Sequence, residues 1–323
     1  LFLDRPLPLA GAVVSARPME LELAAPRGAA PGRTGPELSQ FFNRRGLSLV
    51  AGRAALVHGG DDPQLAAEYA ARAGASAVVL YGSQLPSGGL GLDEGIDVPV
   101  LSLPPQVGRL TVAAVRRHER PAISIGVPRI VRNGTVDEIA PFSSRGLAFD
   151  GRVKPDLVAP GVVVATSEPG TNDDGTPRFG TVNGSSAAAA VVAGGAAVLA
   201  QARPALRALD LRSLLTGTAR SLPDASVTAQ GSGLLDLGAA STGEVTSDPV
   251  TLAFGRAEGD GWQSSQDVTV HNVSSRRLLV RVHTPGQGGL LIESKPKWVR
   301  LKPGGDAAIT LSARLRGAPP SDG

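Results

Sequence analysis

The chain has 323 residues, enough for two or three domains that each bury a core. Its 32 basic and 29 acidic residues leave a formal charge of +3, spread along the sequence without a basic stripe and with few aromatics to stack bases, which excludes nucleic acid as the expected partner. No cysteine is present, so disulfides, thiolate nucleophiles and cysteine-based metal sites are excluded as well. The opening "LFLDRPLPLAGAVV" places Asp4 and Arg5 inside what a signal peptide would keep apolar, and a chain beginning at Leu1 is expected to be truncated or processed.

Gly and Pro punctuate the stretches from Leu3 to Gly52 and from Gly82 to Val98, which read as loops and short strands. "AALV" then has the pattern of a buried strand, and Pro63 suits a helix start. Leu65, Ala66, Tyr69, Ala70 and Ala73 form an apolar stripe at helical spacing. "SAVVLYG" and "VPVLSLP" return as strands. Each is apolar throughout, as in a sheet covered on both faces, and the succession reads strand, helix, strand, strand.

The central segment begins with "APFSSRGLAFDGRVKPDLVAPGVVV", a Pro-rich passage into a buried strand. The polar loop "SEPGTNDDGTPRFGTV" follows it, and then "VNGSSAAAAVVAGGAAVLAQ". A membrane-spanning helix needs about 20 mainly apolar residues rich in Leu, Ile, Phe and Val. Residues 187–200 are too few, hold eight alanines and only one leucine, and so predict a fully buried helix, with no transmembrane segment. Ser185 and Ser186 at its start admit two readings: an N-cap, or a nucleophile beside N–H groups that can hold an oxyanion. A second amphipathic helix is expected from Leu206, Leu209, Leu211, Leu214 and Leu215. From Glu244 onward the periodicity changes to two. "DVTVHNVSS" and "RRLLVRVHT" alternate around a polar turn, and "KWVRLKPGGDAAITLSARL" repeats strand, Pro-Gly turn, strand, which together predict a small β-sandwich with the tail "GAPPSDG" disordered or severed.

"KPDLVAPG" followed by "NGSSAAAAVVAGGAAVLAQ" resembles the subtilase family of serine peptidases. Lys154, Pro155, Asp156, Ala159, Pro160 and Gly161 match the family's strand motif. Gly184, Ser185 and Ser186 stand where Gly-Thr-Ser stands, and Val192, Ala193 and Gly194 match the helix that follows. Ala190 and Val191 depart from the family pattern at positions outside the catalytic relay. By this resemblance Ser186 is the nucleophile and its own backbone N–H an oxyanion donor. The Asp, His and oxyanion Asn motifs of the family are absent, and His58, His118, His271 and His283 fit none of them. The resemblance therefore implies the C-terminal part of a longer secreted or cell-surface serine endopeptidase with bacterial-type export. That enzyme would act on protein or peptide substrates and be completed by the upstream part of the same catalytic domain, the 323 residues alone being inactive. The expected fold class is α/β: a partial subtilisin-like doubly wound parallel sheet over residues 128–243, an inserted protease-associated α+β domain over residues 1–127, and a fibronectin type III-like β-sandwich with its tail over residues 244–323.

No cofactor is implied. Asp61 and Asp62 lack clustered His or Glu partners, and "TNDDGT" at residues 171–176 has oxygen ligands but not the spacing of an EF-hand, so structural calcium is possible but unsupported. The competing function is a non-catalytic pseudoprotease or cleaved fragment serving as a binding or scaffold module.

Overall fold

The protein is described by a computed structural model covering residues 11–13, 18–28, 35–60, 62–82, 90, 92, 96–126, 136–172, 174–257, 261–284 and 289–316. The expectations at Asp61, in most of the Gly/Pro-rich stretch after Gly82 and in the tail from residue 317 lie outside these residues. The chain divides into two compact units, residues 1–143 with 160–187, and residues 144–159 with 188–323.

In the first unit the chain forms β1 (Gly11–Val13), β2 (Met19–Ala24), a 3-10 turn at Leu38–Phe41, β3 (Ala54–His58), α1 (Pro63–Arg72), β4 (Ala77–Tyr81), β5 (Val100–Leu103), α2 (Pro105–Arg116) and β6 (Ala122–Ile125). The strands make one sheet in the order β1-β5-β4-β3-β2-β6. Its four middle strands are parallel, and β1 and β6 close the two edges antiparallel. The apolar runs of β3 and β4 are buried because both faces are covered, as their sequence predicts. Ala55, Val57, Val78 and Leu80 pack on one face with Ala66, Ala67 and Ala70 of α1. Leu56, Val79, Tyr81 and Leu101 pack on the other with Val112 of α2.

Pro63 does open α1, and Asp62 caps it by accepting the Leu65 N–H at 2.9 Å. The buried stripe is rotated from the expected one. Leu65 is exposed and Ala67 takes its place, because a face of alanines lets the helix backbone lie closer to the sheet than a leucine would allow. α2 and β6 were not expected. The apolar face of α2, made by Val107, Val112 and Val115, is diluted by Gly108 and four surrounding polar residues.

Farther along the chain come β7 (Gly146–Leu147), β8 (Val153–Lys154), β9 (Val164–Thr171), β10 (Pro177–Val182), α3 (Ser185–Ala202), α4 (Ala208–Gly217), α5 (Val227–Gln230), α6 (Leu237–Thr242) and the strands β11 (Val245–Asp248), β12 (Gln263–Asn272), β13 (Leu278–Arg281), β14 (Leu290–Lys295), β15 (Trp298–Leu301) and β16 (Asp306–Leu315). β9 and β10 pair antiparallel. The expected buried strand and polar loop are thus the two arms of one largely exposed hairpin, closed at residues 172–176.

The α/β class holds, but the parallel strands lie between residues 19 and 103 and not in the central segment. Among the described residues, 128–243 carry two antiparallel hairpins and four helices, with one parallel bridge, Val158 to Leu234. The only long apolar run in that segment is taken up by α3, which leaves no pair of buried strands to form a parallel ladder.

α3 is also not buried all round: Gly195 and Leu199 are its buried residues, and Val198 is exposed. It spans 18 residues, longer than the run read from sequence, and among the described residues it is the one helix whose length and composition would reach across a membrane. Gly195 sits where a Cβ would stand 2.7 Å from Leu237 Cδ2, so its lack of a side chain is what lets α6 approach. Leu199 joins Leu214, Leu215 and Ala240 in a small core. α4 starts at Ala208 and turns Leu209 to solvent, while Leu206 and Leu211 lie half-buried against that core.

The C-terminal strands form a four-stranded antiparallel sheet, β11-β12-β16-β14, and a separate pair, β13-β15. Val268, Val270 and Ile309 of the larger sheet meet Val299 and Leu301 of the pair in one core, using the alternate positions that the period-two pattern predicts. Neither polar turn is a hairpin, however. Each carries the chain from one sheet to the other. Both crossovers are held by the fully buried Asn272, whose Nδ2 donates to the carbonyls of Arg276, Leu301 and Lys302 at 2.7, 3.4 and 3.0 Å, while its Oδ1 accepts the Ser274 N–H and hydroxyl at 2.9 and 2.7 Å.

Candidate active site

α3 opens directly after β10 through Asn183 and Gly184. Gly184 has φ +155°, a value that favours glycine. A Cβ there would stand 3.7 Å from the Ser186 nitrogen and 4.0 Å from its Oγ, so glycine leaves that side of Ser186 uncovered. Two hydrogen bonds fix the approach. The Gly184 N–H donates to the Gly161 carbonyl at 2.8 Å, and the Val163 N–H donates to Asn183 Oδ1 at 2.6 Å. The second bond holds Val163 at φ +53°, unusual for a β-branched residue. Asn183, Val163 and the Gly161 carbonyl were not singled out from sequence, although the Asn-Gly dipeptide is a turn signal that could have pointed to them.

Ser185 and Ser186 are the first two residues of the helix, and both are exposed. Among the described residues neither hydroxyl accepts a first-turn N–H, so neither serine acts as the N-cap. The first-turn N–H groups of Ser185, Ser186 and Ala187 have no i−4 carbonyl within the helix and lie at the positive end of its 18 residues. The arrangement is a hydroxyl beside uncommitted donors, chemically able to hold an anion next to an oxygen nucleophile.

Residues of the "KPDLVAPG" motif are tied down in the second unit. Lys154 Nζ meets Asp156 Oδ2 at 2.7 Å, the Val158 N–H donates to Gly233 O at 2.9 Å, and Leu235 N–H donates to Val158 O at 2.8 Å. Gly231 has φ +61°, and a Cβ there would lie 2.2 Å from the Pro155 carbonyl oxygen and 2.4 Å from that of Asp156, which only glycine avoids.

Among the described residues no histidine hydrogen-bonds to Ser186. His58 ends β3, accepts the Gly60 N–H through Nδ1 at 3.0 Å and sets its ring edge-on to Tyr81 at 5.2 Å. His118 follows α2, exposed, at φ +59°. His271 meets Asp306 across the β12–β16 ladder at 2.5 Å, and His283 is exposed just past β13.

The loop read as a candidate calcium site is closed on itself. Asp174 Oδ1 accepts the Thr176 hydroxyl and N–H at 2.6 and 3.0 Å, and those bonds hold its carboxyl below the usual range. Asp173 lies outside the described residues, and among those described no group of three His, Asp or Glu gathers. Asp62 is committed to capping α1.

The chain belongs to the subtilase family, the Peptidase S8 group of serine peptidases, whose family profile matches residues 63–233, just over half of the sequence. It is similar to the minor extracellular protease Vpr of Bacillus subtilis (strain 168), at 28% identity over 221 residues, which is 65% of this chain and 27% of Vpr. It is also similar to the C5a peptidase of Streptococcus pyogenes serotype M1, at 28% identity over 155 residues, covering 45% of this chain and 12% of that protein. The chain thus spans about a quarter or less of the length of these relatives. Among solved structures, the psychrophilic subtilisin-like protease Apa1 from the Antarctic psychrotroph Pseudoalteromonas sp. AS-11 is matched at 15% identity over 69% of this chain and 45% of that one, with a TM-score of 0.23.

Proposed function

We propose that this chain is the serine-bearing part of a secreted or cell-surface subtilisin-type endopeptidase, with Ser186 as its nucleophile. The observation that carries the reading is the sequence Gly184-Ser185-Ser186 at the mouth of α3, with both serines exposed at its first turn, in a chain that belongs to a serine peptidase family. The Ser186 hydroxyl attacks the scissile carbonyl, and its N–H helps to hold the oxyanion. Collapse of that intermediate breaks the C–N bond and expels the amine, which takes the serine's proton by way of the upstream base. Water then hydrolyses the acyl ester to free the acid and the Ser186 hydroxyl. A serine hydroxyl needs a base and a carboxylate to orient that base, and the proposal assigns both, with the oxyanion Asn, to a segment upstream of Leu1. Residues 1–127 are read as a protease-associated domain, 128–243 as the C-terminal part of the catalytic domain, and 244–323 as a fibronectin type III-like brace. The extracellular relative supports the location.

A fluorophosphonate probe tests the assignment. The full-length protein is expected to label, and Ser186→Ala to lose the label. Labelling that survives the substitution places the nucleophile elsewhere. An upstream reading frame without Asp-Ser/Thr-Gly and His-Gly-Thr-His motifs would instead favour the non-catalytic scaffold, a reading that the lack of any histidine bonded to Ser186 supports for the 323 residues alone.

A further inference from the structure

At the carboxyl ends of the parallel strands β3, β4 and β5, His58, Tyr81 and Leu103 stand in one row, since His58 registers with Tyr81 and Tyr81 with Leu103. A cleft of about 320 Å³ lies between Tyr81 and α2, lined by Tyr81, Arg109, Val112, Ala113, Arg116 and Arg117. Tyr81 is 2% exposed, and its hydroxyl is a buried polar atom without a hydrogen-bond partner. Such orphans are rare, and one bordering a cleft calls for an acceptor from outside the chain.

The surroundings fix the sign of that ligand. Arg117 is committed to Glu119 at 2.5 Å, but among the described residues Arg109 and Arg116 have no acidic partner. The root of the Tyr81 ring presses on α2 at Gly108, where a Cβ would lie 2.3 Å from Tyr81 Cβ and 2.7 Å from Cγ. Burial holds the phenol above its usual range against the opposing charge of Arg116, so the hydroxyl stays protonated and can donate. Val112 and Ala113 supply an apolar floor between the two free arginines.

We propose that this cleft binds an organic carboxylate: the Arg116 guanidinium and the Tyr81 hydroxyl take the carboxylate oxygens, and the floor of Val112 and Ala113 takes a compact apolar body, with Arg109 at the far end. A free aromatic or branched acid and the C-terminal residue of a peptide share this chemistry, and the volume suits either.

Calorimetric titration of the whole 323-residue chain with benzoate, benzamide, N-acetylphenylalanine and its amide tests the site. Benzoate is expected to bind saturably, one per chain, and benzamide not to bind. Tyr81→Phe keeps the ring and removes one donor to a charged acceptor, so it should weaken benzoate binding about tenfold. Arg116→Gln, at an exposed position that does not threaten the fold, should weaken it at least as much, and Arg117→Gln should change nothing. N-acetylphenylalanine binding more tightly than benzoate assigns the peptide end as the source, and the reverse order assigns a free acid. Absence of saturable benzoate and N-acetylphenylalanine binding, equal binding of benzamide, or affinity unchanged in both Tyr81→Phe and Arg116→Gln would overturn the proposal.

Discussion

Replacing Asn272 by alanine removes a side chain that is fully buried and makes five hydrogen bonds. The volume lost is small, so the cost is set by what is left behind. The buried Leu301 carbonyl loses a donor, the half-buried Lys302 carbonyl keeps the Gly305 N–H alone, and the Ser274 N–H loses its acceptor. A neutral hydrogen bond contributes about 1 kcal/mol net, and each polar group left buried without a partner costs about 1–3 kcal/mol. Water can still reach the half-buried Arg276 and Ser274 ends, which lowers the total to roughly 3 kcal/mol. For a unit of this size that is a fall in Tm of about 6–12 °C. Both tryptophans of the chain, Trp262 and Trp298, lie in this region, so urea denaturation followed by tryptophan fluorescence reads the loss directly. Asn272→Asp sharpens the test. The carboxylate would face three carbonyl oxygens, so its folded pKa lies above the usual value near 3.9 and its penalty is full above that folded pKa. Asn272→Asp should therefore be less stable than Asn272→Ala at pH 7, and the gap should close as the pH falls toward 4. An Asn272→Ala midpoint within about 0.5 kcal/mol of the parent, or a gap independent of pH, would refute the reasoning.

Further outcomes follow from the same structure. Gly231→Ala forces a Cβ against two backbone carbonyls at positive φ and is expected to cost at least ~2 kcal/mol, measured by urea denaturation. In α3, Gly194→Ala meets nothing within 4 Å and should stabilise by about 0.5–1 kcal/mol, whereas Gly195→Ala must displace Leu237 and should not; thermal melts separate the two. Burial raises the Asp210 carboxyl, but hydrogen bonds from the Arg207 side chain and backbone and from the Thr246 hydroxyl outweigh it, leaving the folded pKa below the unfolded one. Its contribution is thus present above the unfolded pKa and lost as pH falls through the folded one. Asp210→Asn should cost about 1–2 kcal/mol at pH 7, with the difference from the parent shrinking by pH 3 in urea titrations at both values. The purified 323-residue chain is expected to show no peptidase turnover on a peptide substrate, and serine-dependent cleavage by it would contradict the assignment of the base to an upstream segment.

What could be read from the sequence follows from how local each signal is. β3, β4 and α1 were legible because their apolar runs, and Pro63 after Asp62, act within a few residues. β9 and β10 were not, because Ser167, Glu168, Pro169 and Gly170 look like loop residues in a hairpin whose better covered face is only half-buried. The C-terminal strands were placed, but their partners were not. Whether two alternating strands pair with each other depends on crossovers held by Asn272, a contact between residues 30 apart. At the candidate site, the short motif marked Ser185 and Ser186 as the head of a helix, while the pinning of Gly184 by Gly161 and of Val163 by Asn183 joins residues about 20 apart and carries no periodic signature.

β16 is the last strand in sequence, yet it lies inside its sheet, with β12 on one side and β14 on the other. Synthesis therefore delivers every other strand of that sheet before the one that joins them. Until residues 306–315 have emerged, β12 and β14 have no common neighbour, and this part of the protein must stay open however far the rest has advanced. A stop codon anywhere before Asp306 would not trim an edge but remove the seam.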